Sequence, residues 1–365
     1  MTKIRVFNED DIPVVAALFG RAFPHHRWPS RAACESYFHE VFFNNPWRNN
    51  LGLPSWVAEH RGRIEGFYGV LARPMTFRGR LIRTAVCCDF MVDPDRRHSL
   101  TALQLAKANL SGPQELTLAD GASDEARRLW VSIGGTAPLL YNLHWTRPLR
   151  PARYLVWLLG ERGALRRPLM LGARPLGAVA DLLATRLVWN RVCREESGLA
   201  EDVLDSATML AHLPAVLDGN ALQPVYDERS LAWLLDQAAR KMGQGTLRAR
   251  SVLNSERRML GWYIYYLQSG GAPSEIVQIV ARTGSYECVL RRLLADAWRQ
   301  GAAALRGRVD PQFVYELSSH HCWLRREAPC TLIHSRDEEI VDAIQQGHAF
   351  LSRLEGEWWM RFLSG

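Results

Sequence analysis

The chain has 365 residues, 47% of them hydrophobic and 23% charged. That composition excludes disordered, collagen-like and coiled-coil classes and leaves room for two domains with their own cores. No apolar stretch approaches the ~20 residues of a membrane span. The start, MTKIRVFNEDD, turns acidic by the ninth residue without an early apolar run, which reads as no secretory leader. Cys34, Cys87, Cys88, Cys193, Cys288, Cys322 and Cys330 form no C-x-x-C pair. They read as free thiols in a reducing cytoplasm, with no disulfide framework and no metal site.

The net charge of +7 is local: residues 147–194 hold ten arginines against Glu161 and Asp181, and the rest of the chain sums to −1. A nucleic-acid partner requires a broad basic face, so none is expected.

In chain order, Ile4–Phe7 predicts a strand, and a helix capped at Asp10 or Asp11 follows, with Ile12, Val15, Leu18, Phe19 and Phe23 at helical spacing. A second helix, Ser30 to about Phe43, stops before Asn44-Asn45-Pro46. Three strands follow: Trp56–His60, Ile64–Phe77 and Leu81–Val92, turned at Arg61-Gly62-Arg63 and Arg78-Gly79-Arg80. The core of the third, AVCCDFMV, is nearly continuous in apolar residues, as a strand covered on both faces would be. A helix from Ser99 or Thr101 to about Leu110, a strand at Leu116–Ala119, a helix at 124–133 capped by Ser123, and a strand at Asn142–Thr146 complete the first half.

Residues 147–195 carry arginines, prolines and two apolar helical patches, Tyr154–Leu159 and Leu176–Trp189. Beyond them the pattern repeats: helix 230–242, strands 259–267 and 276–281, helix 286–300, strand 304–309, helix 311–323, strand 331–334 and helix 338–346. The reading is an α/β fold with mixed sheets and a degenerate internal duplication: 1–150, a helical basic connector 151–195, and 196–365.

Ala85–Leu105 carries the clearest chemistry. A buried strand ends in V-x-P-x-x-R and turns directly into a helix, whose free N–H groups and dipole suit an anion; Arg96, Arg97 and His98 add charge there. An ordinary strand–turn–helix stays open from these residues alone. Asp89 lies three residues before the loop, among apolar neighbours that raise a carboxylate toward the range of a general base. A structural Asp at the sheet edge is the other reading, and Glu59 and His60 are further base candidates.

Val92, Pro94, Arg97 and Ala102 resemble the pyrophosphate loop of the GNAT superfamily of N-acetyltransferases, V-x-P-x-x-R-x-x-G-x-G/A, with Leu100 in place of the first glycine. Asp120–Gly135 resembles that family's later block, with Ser123, Ala126, Leu129, Trp130 and Gly134 in register. The resemblance implies two GNAT-like acyltransferase domains, the first holding acetyl-CoA as co-substrate. Its loop residues would be Phe90, Met91, Val92, Arg97, His98, Ser99, Leu100, Thr101 and Ala102, with Ser123 and Trp130 lining the coenzyme arm. Many members use a Tyr as general acid where this chain has Trp130, so the acid falls to Tyr141 or to water, or there is none. The backbone N–H of Met91 or Val92 would polarise the thioester carbonyl.

The expected function is therefore transfer of an acetyl group to an amine, small or polymer-linked, by direct attack on the thioester. The alternatives are an aminoacyl-tRNA-dependent transferase of the same fold and a pseudo-enzyme that binds acyl-CoA or a partner without turnover. The basic segment 151–190 is read either as a connector or as a peripheral contact with the cytoplasmic face of a membrane.

Overall fold

Two long neighbouring strands set the frame of the first sheet. In the computed structural model, which describes residues 2–26, 28–48, 52–96, 99–163, 181, 198–241, 243–326 and 329–360, β3 (Arg63–Phe77) and β4 (Arg80–Val92) run antiparallel through the tight Arg78–Gly79 turn. Arg78 and Gly79 both have positive φ, 48° and 80°, as such a turn demands.

β1 (Lys3–Val6) and β2 (Trp56–His60) extend the sheet on the β3 side. On the other side β5 (Leu116–Ala122) runs parallel to β4. Helices α1 (Ile12–Ala22) and α2 (Arg31–Phe42) connect β1 to β2. Ser30 caps α2 by accepting the Ala33 N–H at 3.1 Å. Both helices bury aromatic side chains on one face of the sheet, where Phe42 meets Phe67 at 5.3 Å between ring centroids and Phe38 meets it at 5.7 Å. Each such pair adds about 0.5–1.5 kcal/mol to its area burial. Helices α3 (Thr101–Leu110) and α4 (Asp124–Ser132) cover the opposite face, with Leu105, Ala106 and Trp130 buried against Tyr68, Val70, Ala85 and Cys87.

The chain then leaves its own sheet. β6 (Leu143–Pro148) pairs with β12 (Ala304–Arg308) and β13 (Trp323–Arg326) in a second sheet. In exchange β14 (Cys330–His334) pairs antiparallel with β5. The second sheet also contains β7 (Ala200–Val203), β9 (Thr246–Leu253), β10 (Met259–Leu267) and β11 (Pro273–Ala281). Its order is β13-β6-β12-β11-β10-β9-β7, against β14-β5-β4-β3-β2-β1 in the first, where the short β8 (Leu222–Pro224) pairs with the end of β3. Read from the β7 edge, strand for strand, the second sheet follows the first. Each has one parallel pair, β4–β5 and β11–β12. Helices α6 (Ser206–Leu217) and α7 (Glu228–Ala239) stand where α1 and α2 stand, and α8 (Tyr286–Arg299) where α3 does.

The structure changes the expected arrangement at several points. The strand expected at Asn142–Thr146 does exist, but it lies in the other sheet, and with β14 and β8 in the first sheet three strands cross the boundary drawn at 150. The expected helix 311–323 is a 3-10 turn followed by a short helix, α9 (Val314–Ser319); Trp323 already begins β13. β7, β8, β9 and α6 were not read from the sequence.

In the connector, α5 (Pro151–Glu161) packs Tyr154 on Ala303 and Ala304, with Trp157 stacked beside it. The second apolar patch, Leu176–Trp189, lies outside the described residues except Asp181. Among the described residues no helix is long and apolar enough to cross a membrane. Helix α10 (Glu338–Gln345) precedes a final segment that buries Trp358 and Trp359, so those two are core residues as read; Phe362 lies outside the described residues.

Candidate active site

β4 and β5 pair over only three residues, from Thr84↔Leu116 to Val86↔Leu118. Beyond that they part. The cause is on the other edge of β4: Phe67 faces Met91 and Gly69 faces Cys88, so the single residue Tyr68 stands opposite two, Asp89 and Phe90. This β-bulge bends β4 away from β5. Asp89 takes φ 51°, a left-handed conformation that Asp tolerates better than most residues. Gly69 is required here, since a Cβ would stand 2.8 Å from the Cys88 carbonyl and the Phe42 ring.

The wedge between the strands is a cavity of about 480 Å³, within the usual range of small-molecule sites. It reaches both faces of the sheet. On the α3/α4 face it is lined by Tyr68, Cys87, Phe90, Val92, Ala102 and Trp130; on the α1 face by Phe23, His26, Cys88, Met91 and Glu357.

Asp89 is 4% exposed and lines this cavity. Burial pushes its carboxyl well above the usual range, while the Tyr37 hydroxyl pulls the other way. Glu357 reaches the same cavity from the final segment. Its Oε1 accepts the Gly121 N–H at 2.9 Å, and its own N–H donates to Asp120 at 2.6 Å. Burial raises the Glu357 carboxyl well above normal, and the nearby Asp120 and Asp89 carboxylates raise it further. His26 is held below its ordinary value, chiefly by burial.

On the opposite face the Trp130 indole N–H donates to the Tyr68 hydroxyl at 3.2 Å. The Cys87 thiol, packed in the same cluster as Tyr68, receives the Asn109 amide at 3.2 Å. Desolvation raises Tyr68 well above a free phenol, and the Trp130 bond offsets part of that.

The cavity brings together Asp89, Phe90, Met91, Val92, Ala102, Ser123 and Trp130 among the expected residues. Ser99 and Thr101 form the turn into α3, joined by a 2.8 Å hydroxyl–hydroxyl bond, and the Ser99 hydroxyl also accepts the Thr101 N–H at 3.3 Å. Leu100 is exposed and does not line the cavity. Arg97 and His98 lie outside the described residues. Arg96 is committed to Glu65 at 3.1 Å.

Tyr141 is a correction: it is buried away from the cavity, with its hydroxyl donating to the Ala349 carbonyl. The 3-10 turn before β6 carries it toward the second sheet. Glu59 is paired with Arg5 at 2.7 Å on β2, and neither it nor His60 reaches the cavity. The sequence reading missed Tyr68 and Glu357. The first was hidden because a two-against-one bulge has no sequence signature, the second because it sits in a stretch that reads as core packing. Among the described residues no group of three or more His, Cys, Asp or Glu side chains is set to hold a metal ion.

No protein-family profile and no curated protein matches the chain. Solved structures do. A conserved protein of unknown function from Enterococcus faecalis V583, described as a probable N-acyltransferase, superposes with a TM-score of 0.60 at 11% identity, over 92% of this chain and 73% of that one. GCN5-related N-acetyltransferases from Kribbella flavida (TM-score 0.57, 12% identity, 93% and 72%) and Anabaena variabilis (0.60, 11%, 93% and 74%) do so as well. The chain has the GNAT superfamily fold. The GNAT likeness spans both sheets, since it covers more than nine-tenths of this chain.

Proposed function

We propose that the protein is an acyl-CoA-dependent N-acyltransferase built from tandem GNAT-like units, moving an acetyl group from acetyl-CoA to an amine in a reducing compartment. The observation that carries this reading is the cavity opened by the β4 bulge, which is entered from both faces of one sheet. A thioester arm threaded from the α3/α4 face and an amine arriving from the α1 face would meet beside Met91 and Val92. The general N-acetyltransferase descriptions of the structural neighbours support the same class.

Within this reading the start of α3 holds the coenzyme phosphates, and the apolar walls at Phe90, Ala126 and Leu129 hold its arm. Asp89 removes the proton of the incoming ammonium, a task suited to a carboxyl raised toward neutrality. Excluding water from the wedge strengthens each of these interactions.

The test is titration calorimetry with acetyl-CoA on the intact protein and on Ala126→Trp, which fills the cavity from α4. Saturable binding that Ala126→Trp abolishes supports the reading. No heat and no thermal shift with the wild type at millimolar acetyl-CoA overturns it.

A further inference from the structure

Transfer from a thioester needs a proton for the departing sulfur as well as a base for the amine. The helix position where a phenol could stand is occupied by Trp130, which has no hydroxyl. The cavity supplies one from another element. Tyr68 lies on β3, directly across from the two bulge residues Asp89 and Phe90, so the distortion that opens the wedge also turns this side chain into it.

Tyr68 is 1% exposed, and its ring lies against Phe90 at 4.7 Å between centroids. Its oxygen receives the Trp130 N–H at 3.2 Å. With that lone pair engaged, the phenol O–H is left to donate within the cavity, whose wall it shares with Cys87 and Phe90. The other hydroxyl lining the cavity, Ser123, is exposed at the start of α4 and accepts the Ala126 N–H.

We infer that Tyr68 is the proton donor to the departing coenzyme thiolate, with Trp130 as the residue that positions it. This inference rests on the acyltransferase reading above. In the step, the amine, whose ammonium proton Asp89 has already passed to solvent, forms a bond from nitrogen to the thioester carbon and loses a second proton to the Asp89 carboxylate. The C–S bond then breaks with its electron pair on sulfur, and sulfur takes the Tyr68 proton. Tyr68 and Asp89 return to their starting states by exchanging one proton with solvent. The net change is amine plus thioester to amide plus thiol.

The test uses acetyl-CoA as donor and hydroxylamine as a small probe amine, with acetohydroxamate formation and thiol release as readouts. Tyr68→Phe lowers kcat about 10²–10⁴-fold, the usual scale for losing a general acid, while the calorimetric affinity for acetyl-CoA stays within about threefold. Trp130→Phe lowers kcat about tenfold, and Trp130→His, which restores a ring N–H, recovers part of it. If Tyr68→Phe fails to fold, trifluorotyrosine at position 68 keeps the shape and lowers the phenol pKa, and the basic limb of the rate–pH profile moves to lower pH. A Tyr68→Phe protein with full kcat, or an unmoved limb with trifluorotyrosine, overturns the inference and leaves the acyltransferase reading intact. A wild type that neither binds acetyl-CoA nor forms hydroxamate overturns both.

Discussion

Arg353 lies 2.8 Å from Glu275, and its backbone N–H donates to the Val277 carbonyl at 3.2 Å. Val277 is the extra residue of a bulge in β11, where Ile264 faces Gln278 and Tyr265 faces Ile276. β11 and β12, like β4 and β5, pair in parallel over three residues and stop, at Glu275↔Arg306. The second sheet therefore opens a wedge at the matching place, and the chain's own segment fills it, with Arg308 holding the Leu351 carbonyl. The expected stoichiometry is one acetyl-CoA per chain. Calorimetry checks it, and a value near two would show that the filled wedge yields.

The same contact predicts a stability effect. Arg353 and Glu275 are both about 95% buried, and Arg306 holds the other carboxylate oxygen at 2.5 Å, so Arg353→Ala removes one of two charge-assisted bonds to Glu275. The variant is expected to cost about 1.5–3 kcal/mol, read as a lowered urea midpoint at unchanged slope.

At Asp89 burial makes stability depend on pH. Its folded-state pKa lies above its unfolded value. Between the two, the native state binds more protons, so the contribution of this group to stability is greatest below the unfolded pKa. It is lost as pH rises through the folded one. Asp89→Asn, which also tolerates the positive φ, is expected to raise Tm by about 2–5 °C at pH 8, with the gain shrinking toward pH 4. The same variant is expected to lower turnover about 10²–10⁴-fold with coenzyme affinity retained. Thermal scans across pH and steady-state rates check the two halves separately.

Glu357→Gln keeps an oxygen for the Gly121 N–H and removes a charge only where pH exceeds the raised value of this buried carboxyl. The expected result is a KM for a cationic amine that is unchanged at low pH and rises about tenfold at high pH, the scale of one charge-assisted hydrogen bond. The acetyl-CoA affinity is expected to stay constant, and KM measured for both substrates checks it.

Local pattern made most of the first half legible. Alternation, turns and caps placed β1 to β5 and α1 to α4, and the loop spacing around Val92, Pro94 and Ala102 pointed to the wedge that the structure opens. Asp89 was readable because a carboxylate among apolar residues is chemically conspicuous. Tyr141 was not, because its place depends on β6 joining the other sheet, and no local signal encodes which of two similar sheets a six-residue strand will join. Tyr68 and Glu357 share that difficulty. One is defined by a register shift across β3 and β4, the other by a contact 236 residues away in the chain.

The exchange of β6 and β14 has a further consequence for how such a chain can be divided. A single repeat ending after its own sixth strand would either fold that strand back beside β5 or leave β5 with an open edge, a template for pairing with another molecule. Two copies that trade this strand satisfy one another, which is the geometry of a domain-swapped dimer. Here the partners are covalently tethered, so what would be a concentration-dependent association is an intramolecular one. Residues 1–150 expressed alone are therefore expected to self-associate or aggregate, and supplying residues 196–365 in trans is expected to suppress this by returning β14 to the edge of β5.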